Sequence, residues 1–440
     1  MTRHARHATR RPVGRLLVVG ALVVATVAGG AAALSGLIPS SLATDAVPSD
    51  TPSAEEVRPT ASPSPTPTPT RPPDAEFTLV AAGDVLLHQP VLRSARTADG
   101  GYDFGPLFDP VAPWVAGADL ALCHLEVPVA PEGTTPSGYP IFGAPPQIAA
   151  SLAASGWDGC STASNHSVDR GVAGVAATLD ALDAAGLGHV GTARTAVEGA
   201  APQVYVLERS GQTLRIAQIA ATYGTNGMPV PADAPWTVDL IDTDRLVAQA
   251  QAARDAGADV VVASVHCCVE YVSEATEEQV RIATVLADSG VVDLMIGHHA
   301  HVPQQIDRLP GGPLGEGMWA AYGLGNFISN QDAECCSART DSGLLLSASF
   351  RKPVDGPVAV TDVAWTAVTV DRRNGHRVEP LPPALRSGQG VGSLTAAEVE
   401  ARQARVVEVV GTVARERVEP AQPSGPGPVV ERRPTGDAAG

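Results

Sequence analysis

Basic residues are scarce in this 440-residue chain: 30 Lys and Arg stand against 47 Asp and Glu, a formal net charge of −17. That balance excludes a nucleic-acid partner, because phosphate backbones are held by a basic face. A polyanionic substrate would depend on local Arg or on metal. Aromatic residues make up only 4% while Ala, Val, Gly and Pro dominate, so composition alone names no function. No cysteine precedes Cys123, which excludes a lipid-bearing cysteine at the end of an N-terminal signal. The six cysteines form no Cys-x-x-Cys, the spacing structural zinc usually shows, and no Gly-x-Ser-x-Gly elbow marks a serine nucleophile. Internal repeats are absent. The length nonetheless allows a substantial core, in one large domain or two smaller ones.

The first fifteen residues carry Arg3, Arg6, Arg10, Arg11 and Arg15 and no acid, and an apolar run follows from Leu16 to about Leu34. This is the pattern of an export signal, with the N-terminus inside and the rest outside. Its length approaches a single membrane span, which favours an uncleaved anchor over residues 1–43; cleavage at its small-residue stretches would instead give a secreted protein. Residues 44–74 are Pro, Ser, Thr and acid, ending in SPTPTPTRPP, and read as an extended, disordered linker or stalk. A globular domain is expected over 75–371. Residues 372–418 form an extension with one amphipathic helix from Leu394 to Val418, begun by Thr395. The Pro/Gly-rich tail, 419–440, is expected to be disordered.

Six short apolar runs then stop on polar residues: 77–82 before Gly83-Asp84, 120–123 before His124-Leu125-Glu126, 157–162 before Ala163-Ser164-Asn165-His166, 260–265 before His266, 291–296 before Gly297-His298-His299-Ala300-His301, and 319–322 before Gly323-Leu324-Gly325-Asn326-Phe327. Unbroken apolar runs of this length suit strands buried on both faces. Helix-like stretches at 172–185 and 243–256, each stopped by a glycine, lie between some of them. Alternating strand and helix predicts parallel pairing, which sends the C-terminal ends of the strands to one edge, where ligands of open α/β sheets collect. Carboxylate, carboxamide and imidazole gathered there are what a divalent metal takes as ligands. Packing does not account for the three histidines after residue 297, because a buried imidazole needs a partner. Glu270 and Tyr271 are read equally as pocket residues or as a capped helix start.

Two of the cysteine pairs are vicinal, Cys267-Cys268 and Cys335-Cys336, and cross-pairing between them is expected; Cys123 and Cys160 end adjacent candidate strands and either pair or stay free.

In order, GDVLLH, HLEVP, STASNHSVDRG, VHCCVEY, GHHAHVPQ and YGLGNFI resemble the CapA proteins of poly-γ-glutamate capsule synthesis, over roughly Phe77 to Phe350. The resemblance implies a four-layered α/β sandwich of the calcineurin-like metallophosphoesterase type carrying two divalent metal ions, Mn, Fe, Zn or Mg. It implies Asp84, assisted by His88, Glu126, Asn165, His266, His299 and His301 as metal ligands. His166 is implied as the proton donor, and His124, Glu270, Tyr271, His298 and Asn326 as pocket residues; Arg170, as a catalytic anion-binding group, and Arg308 are candidates because they lie near two of the motifs. Two positions depart from the family pattern: His124 replaces an Asn, and either adds a ligand, takes over the Asn contact or packs, and Cys267-Cys268 replaces Trp-Gly. The implied activity is a membrane-tethered, extracytoplasmic, metal-dependent hydrolase acting on an anionic polymer or phosphoester, alongside a membrane synthase complex. A non-catalytic metal-binding scaffold and a nucleotidase-like phosphatase are the alternatives.

Overall fold

The computed structural model describes residues 73–436. The expected anchor and nearly all of the linker lie outside the described residues. Among the described residues, no helix is long and apolar enough to cross a membrane.

Sixteen strands among the described residues build two sheets. The first contains β1 (Ala75–Val85), β2 (Leu120–Leu125), β3 (Gly159–Ser161) and β4 (Gly188–Val190). The second contains β5 (Gln203–Arg209), β6 (Gln212–Thr222), β7 (Val260–His266), β8 (Leu294–His298), β9 (Ile306–Leu309) and β10 (Met318–Ala321). The chain then returns to the first sheet with β11 (Asn326–Ile328), β12 (Ser342–Lys352), β13 (Ala359–Asp371), β14 (Arg377–Pro380) and β15 (Arg415–Glu416), and ends on the second with β16 (Val429–Glu431). The first sheet runs β14-β13-β12-β1-β2-β3-β4, with β11 beside β1 and β15 beside β13; the second runs β16-β5-β6-β7-β8-β10-β9.

All six apolar runs are strands, and β1-β2-β3 and β7-β8-β10 are each mutually parallel. They divide three and three between the sheets instead of sharing one. Period-2 alternation along β1 explains why the sheets stack. Phe77, Leu79 and Ala81 face a core shared with Leu214, Ile216, Val260, Val262, Leu294 and Ile296 of the second sheet, while Val80 and Ala82 face the other way. Phe77 stacks on Phe350 of β12 at 4.6 Å between ring centres. Each large side chain buried there contributes roughly 1.5–3 kcal/mol.

Helices close both outer faces. Val91, Leu107, Phe108, Trp114, Ile148 and Leu152 cover the first sheet. Leu246, Ala250, Ile282 and Leu286, from helices Thr243–Asp255 and Glu277–Asp288, cover the second. The order helix, sheet, sheet, helix is the expected four-layered sandwich. Helices Gly171–Ala184 and Thr243–Asp255 fill the two expected stretches and are followed by Gly186 and Gly257 in the left-handed region.

The C-terminal third departs from expectation. No break falls near residue 371, because β12, β13 and β14 extend the first sheet by antiparallel pairing. The late helix spans only Ala396–Val410: Thr395 and Glu398 form its capping box, and Gly411 stops it. The tail expected to be disordered is ordered through residue 436. It adds β16 to the edge of β5, Ser424 bonds Asp119 at 2.6 Å, and buried Arg433 reaches His189 at 2.8 Å. Those polar and edge-strand contacts leave no apolar periodicity to read.

Cysteine pairing also differs. Cys123 and Cys160 are directly opposite on β2 and β3 and bond each other, but Cys267 bonds Cys268 and Cys335 bonds Cys336. Cross-pairing fails because Cys267 is packed in the core outside the second sheet, whereas Cys335 and Cys336 line a cavity.

Candidate metal centre and cavity

The C-terminal ends of the central strands of both sheets meet at one place. Two glycines make the approach close: a Cβ on Gly83 would lie 1.9 Å from the Gly325 oxygen, and one on Gly297 would lie 1.9 Å from the Tyr322 oxygen. Each glycine precedes a site residue, Asp84 at the end of β1 and His298 at the end of β8. Asp84 sits opposite His124 of β2 and Asn326 of β11, and His266 sits opposite His298. His124 and Glu126, two residues apart, point the same way. After β8 the backbone enters the left-handed region at His299 and again at His301, φ 82° and 56°, which is unusual for residues with a Cβ. That path turns both imidazoles back toward the carboxylates.

Two groups result, Asp84 with His124 and His298, and Glu126 with His299 and His301, each with ligand-type atoms within 4.8 Å of one another. His301 joins them: its Nδ1 is 2.9 Å from Asp84 and its Nε2 3.7 Å from Glu126. The residues fit divalent cations on a direct observation. Both oxygens of Asp84, both of Glu126, and Nδ1 of His298 and of His299 are buried without a hydrogen-bond partner. Buried carboxylates left so are costly unless a positive charge joins them.

Electrostatics agrees. Burial pushes Glu126 well above the usual carboxylate range. Burial acts the same way on Asp84, but His298 and His301 outweigh it and hold that carboxyl well below its ordinary value. Burial also works against a charged His301, yet Glu126 and Asp84 prevail and raise it to about 9. His124 and His266 are pushed well down by burial and His299 to about 3, so these imidazoles are neutral, the form that ligates metal.

Of the expected ligands, Asp84, Glu126, His299 and His301 are therefore brought together. His124 and His298, placed among the pocket residues by the resemblance, belong to the first group. His266 stands one hydrogen bond behind and Asn165 two: His266 Nδ1 meets His124 Nε2 at 2.9 Å and its Nε2 meets Asn165 Oδ1 at 2.9 Å. Since His124 occupies a position where a shorter Asn was expected, its ring fills space between β2 and β7. His88 joins neither group. It lines the cavity, edge-on to Phe142, with burial lowering it to about 4. Asn326 organises its loop as expected, its amide donating to Gln331 Oε1 and the Thr340 carbonyl while Oδ1 faces His301 Nδ1 at 3.1 Å.

A cavity of about 700 Å³ opens beside Glu126 and His301 and is lined by His166, Asn165, Glu270 and Tyr271 among others. His166 Nδ1 lies 2.8 Å from Asp169 Oδ2, which also accepts the Phe142 N–H at 2.7 Å. Glu270 Oε1 stands 3.9 Å from His301. Tyr271, at φ 65°, donates its N–H to the Ala300 carbonyl and so ties this wall to the histidine loop.

Arg170 does not reach the cavity. Its guanidinium donates to the Phe142 and Thr135 carbonyls and to Ser137, and it clamps the 135–143 loop. Arg308 lies on β9 over the Trp319 ring and does not line the cavity. Three residues were missed by sequence reasoning. Asp169 was legible in His166-Ser-Val-Asp169, one helical turn apart. Asn226, whose side chain accepts from Asn165 at 3.2 Å, and Tyr223, 4.6 Å from the His299 ring, follow β6, a seventh run-to-polar junction in the sequence.

Residues 78–331 match the family model described as bacterial capsule synthesis protein PGA_cap. The chain is 25% identical over 298 residues to the capsule biosynthesis protein CapA of Bacillus anthracis, covering 66% of this chain and 66% of that one. It is 26% identical over 202 residues to the PGA biosynthesis protein CapA of Bacillus subtilis, covering 46% and 49%. It thus spans just under two thirds and about half of these relatives. Among solved structures, the calcineurin-like phosphoesterase YfkN of Bacillus subtilis superposes with a TM-score of 0.37 at 14% identity, over 68% of this chain and 91% of that one.

Proposed function

Because the chain belongs to the bacterial capsule synthesis protein PGA_cap family, we propose that it is a metal-dependent hydrolase that acts outside the cytoplasm in making, releasing or attaching an anionic surface polymer of the poly-γ-glutamate kind. The location rests on the arginine-rich apolar N-terminus, which in this reading anchors the domain to the membrane beside a polymer synthase. One observation carries the chemistry: six buried polar atoms of Asp84, Glu126, His298 and His299 make no hydrogen bond and gather around His301, which lines the cavity together with His166.

Asp84, His124 and His298 would hold one divalent cation and Glu126, His299 and His301 another. Bound there, such ions supply Lewis acidity at a substrate oxygen and ready a water for attack at neutral pH. The rest is done by side chains. Asp169 fixes the His166 ring through Nδ1 and leaves Nε2 facing the cavity. From there His166 delivers a proton to the departing oxygen or nitrogen. Asn226 holds the Asn165 carboxamide, and Asn165 in turn holds His266 against His124. The burial of this relay keeps bulk water from competing for the reacting centre.

The test is turnover by the purified domain, loaded with Mn, Fe, Zn or Mg, on a phosphodiester and on poly-γ-glutamate. Metal-dependent release of product supports the reading. Stoichiometric metal with no turnover on either class would replace it with a binding scaffold.

A further inference from the structure

The outer wall of the cavity, away from His301, is built without a cation. None of the described residues lining it is Lys or Arg, and Asp169 and Glu270, the latter with its side chain 40% exposed, add negative charge. Arginines on adjoining segments are engaged elsewhere: Arg170 with the 135–143 loop, and Arg372 with Asp332 and with Asn330 Oδ1. A glutamyl carboxylate placed against this wall would shed water, gain no counter-charge and approach Glu270. The cluster itself can accept an anion once cations fill it; the outer cavity cannot.

What the outer cavity does offer is flat apolar surface edged with carboxamides. Tyr139 is 74% exposed and Ile141 43% exposed, a degree of solvent contact that packing does not call for. Tyr271 faces them from the loop after β7, its hydroxyl accepting from Gln331 Nε2 at 3.2 Å. Asn226 and Asn330 complete the polar edge. Asn330 Oδ1 already accepts from His376 at 2.9 Å, which leaves the amide NH₂ as its remaining donor. An uncharged ring with an apolar face and a rim of hydroxyls matches this surface, and about 700 Å³ accommodates one or two such rings.

We propose that the cavity is a glycosyl subsite, so that the bond presented to the cluster joins an anionic acyl or phosphoryl group to a neutral sugar, and the interior bonds of a polyanion are poor substrates. This rests on the hydrolase reading above and narrows it to a junction between polymer and glycan. In the reaction, the water oxygen bonds to the acyl or phosphoryl centre, the bond to the sugar oxygen breaks, and His166 gives that oxygen its proton. Water supplies the balancing proton.

Two measurements separate this from the parent reading. Turnover of methyl phosphodiesters of ethanol, glucose and a hydroxy diacid by the metal-loaded protein is followed by phosphorus NMR. Turnover of the ethyl ester tests hydrolysis alone; a glucosyl ester faster by at least ~10-fold, and a diacid ester slower than ethyl, are expected of the subsite. Independently of turnover, calorimetry compares maltotriose with triglutamate. Maltotriose binds, and Tyr139→Ala, at a site too exposed to threaten folding, weakens it by about tenfold. Triglutamate binding as tightly as maltotriose, no maltotriose binding, or an unchanged affinity in Tyr139→Ala overturns the proposal even if the ethyl ester is hydrolysed.

Discussion

Stripping metal from the folded protein should destabilise it, and charge removal at two residues should abolish that sensitivity. Asp84 and Glu126 bury four oxygens that make no hydrogen bond and have only histidines beside them, so the empty site retains a cost of several kcal/mol that cations offset. At a free metal concentration about a thousand times the dissociation constant, binding even one of the two cations to the native state alone adds ~4 kcal/mol, which sets the smallest effect expected. Unfolding entropy near 2.1 cal/mol/K per residue over roughly 360 folded residues is about 0.75 kcal/mol/K, which converts that figure to a drop in Tm of about 5 °C on chelation. Differential scanning fluorimetry with and without EDTA, followed by add-back of each metal and elemental analysis, reads it. The variant Asp84→Asn with Glu126→Gln keeps shape and loses charge, so its Tm should not respond to chelator and should equal or exceed that of the stripped native chain. A native chain indifferent to EDTA, or a double variant that still loses ~5 °C, would refute the claim that these carboxylates await cations.

Three further outcomes follow from the same geometry. His166→Ala should retain metal by elemental analysis while kcat falls ~10²–10⁴-fold, and retained turnover would remove His166 from proton transfer. Asp158, which burial raises to about 7, binds more protons folded than unfolded between its ordinary value of 3.8 and about 7, so its contribution to stability falls as pH rises through that window. Asp158→Asn keeps an acceptor for the Ala121 N–H and should flatten urea-unfolding free energies between pH 5 and 8 by roughly 2–4 kcal/mol; parallel curves would show that Asp158 does not titrate there. Arg433→Ala removes a buried guanidinium from His189 and Glu198, which keep Asp183 and Arg194 as partners, and should cost roughly 1–3 kcal/mol, with proteolysis opening the chain first near residues 424–433; uniform resistance would contradict that.

The strand framework was legible because buried parallel strands have no polar face to dilute the apolar signal, and each run stopped where the backbone left the core. Asp84, Glu126, His299 and His301 could be identified for that reason. The placing of His124 and His298 beside Asp84 was left open, since a histidine within a β-strand reads the same whether it packs or ligates, and only the contact of two sheets brings these to the carboxylate. Arg170 looked free in sequence because nothing local reveals that carbonyls thirty residues away will occupy its guanidinium. The ordered tail was invisible for a related reason. Its anchors are single polar contacts, Ser424 to Asp119 and Arg433 to His189, made to partners more than two hundred positions earlier.

That late segment also fixes when the molecule can finish folding. Residues 424–433 leave the ribosome after every other described strand, yet they bridge both sheets, covering the open margin of β5 and pinning β4 through His189. Until they arrive, β5 offers a row of unpaired amides that a second nascent chain could adopt. Early release, or a fusion that tethers this segment away from β5, therefore favours intermolecular strand exchange over completion of the sandwich.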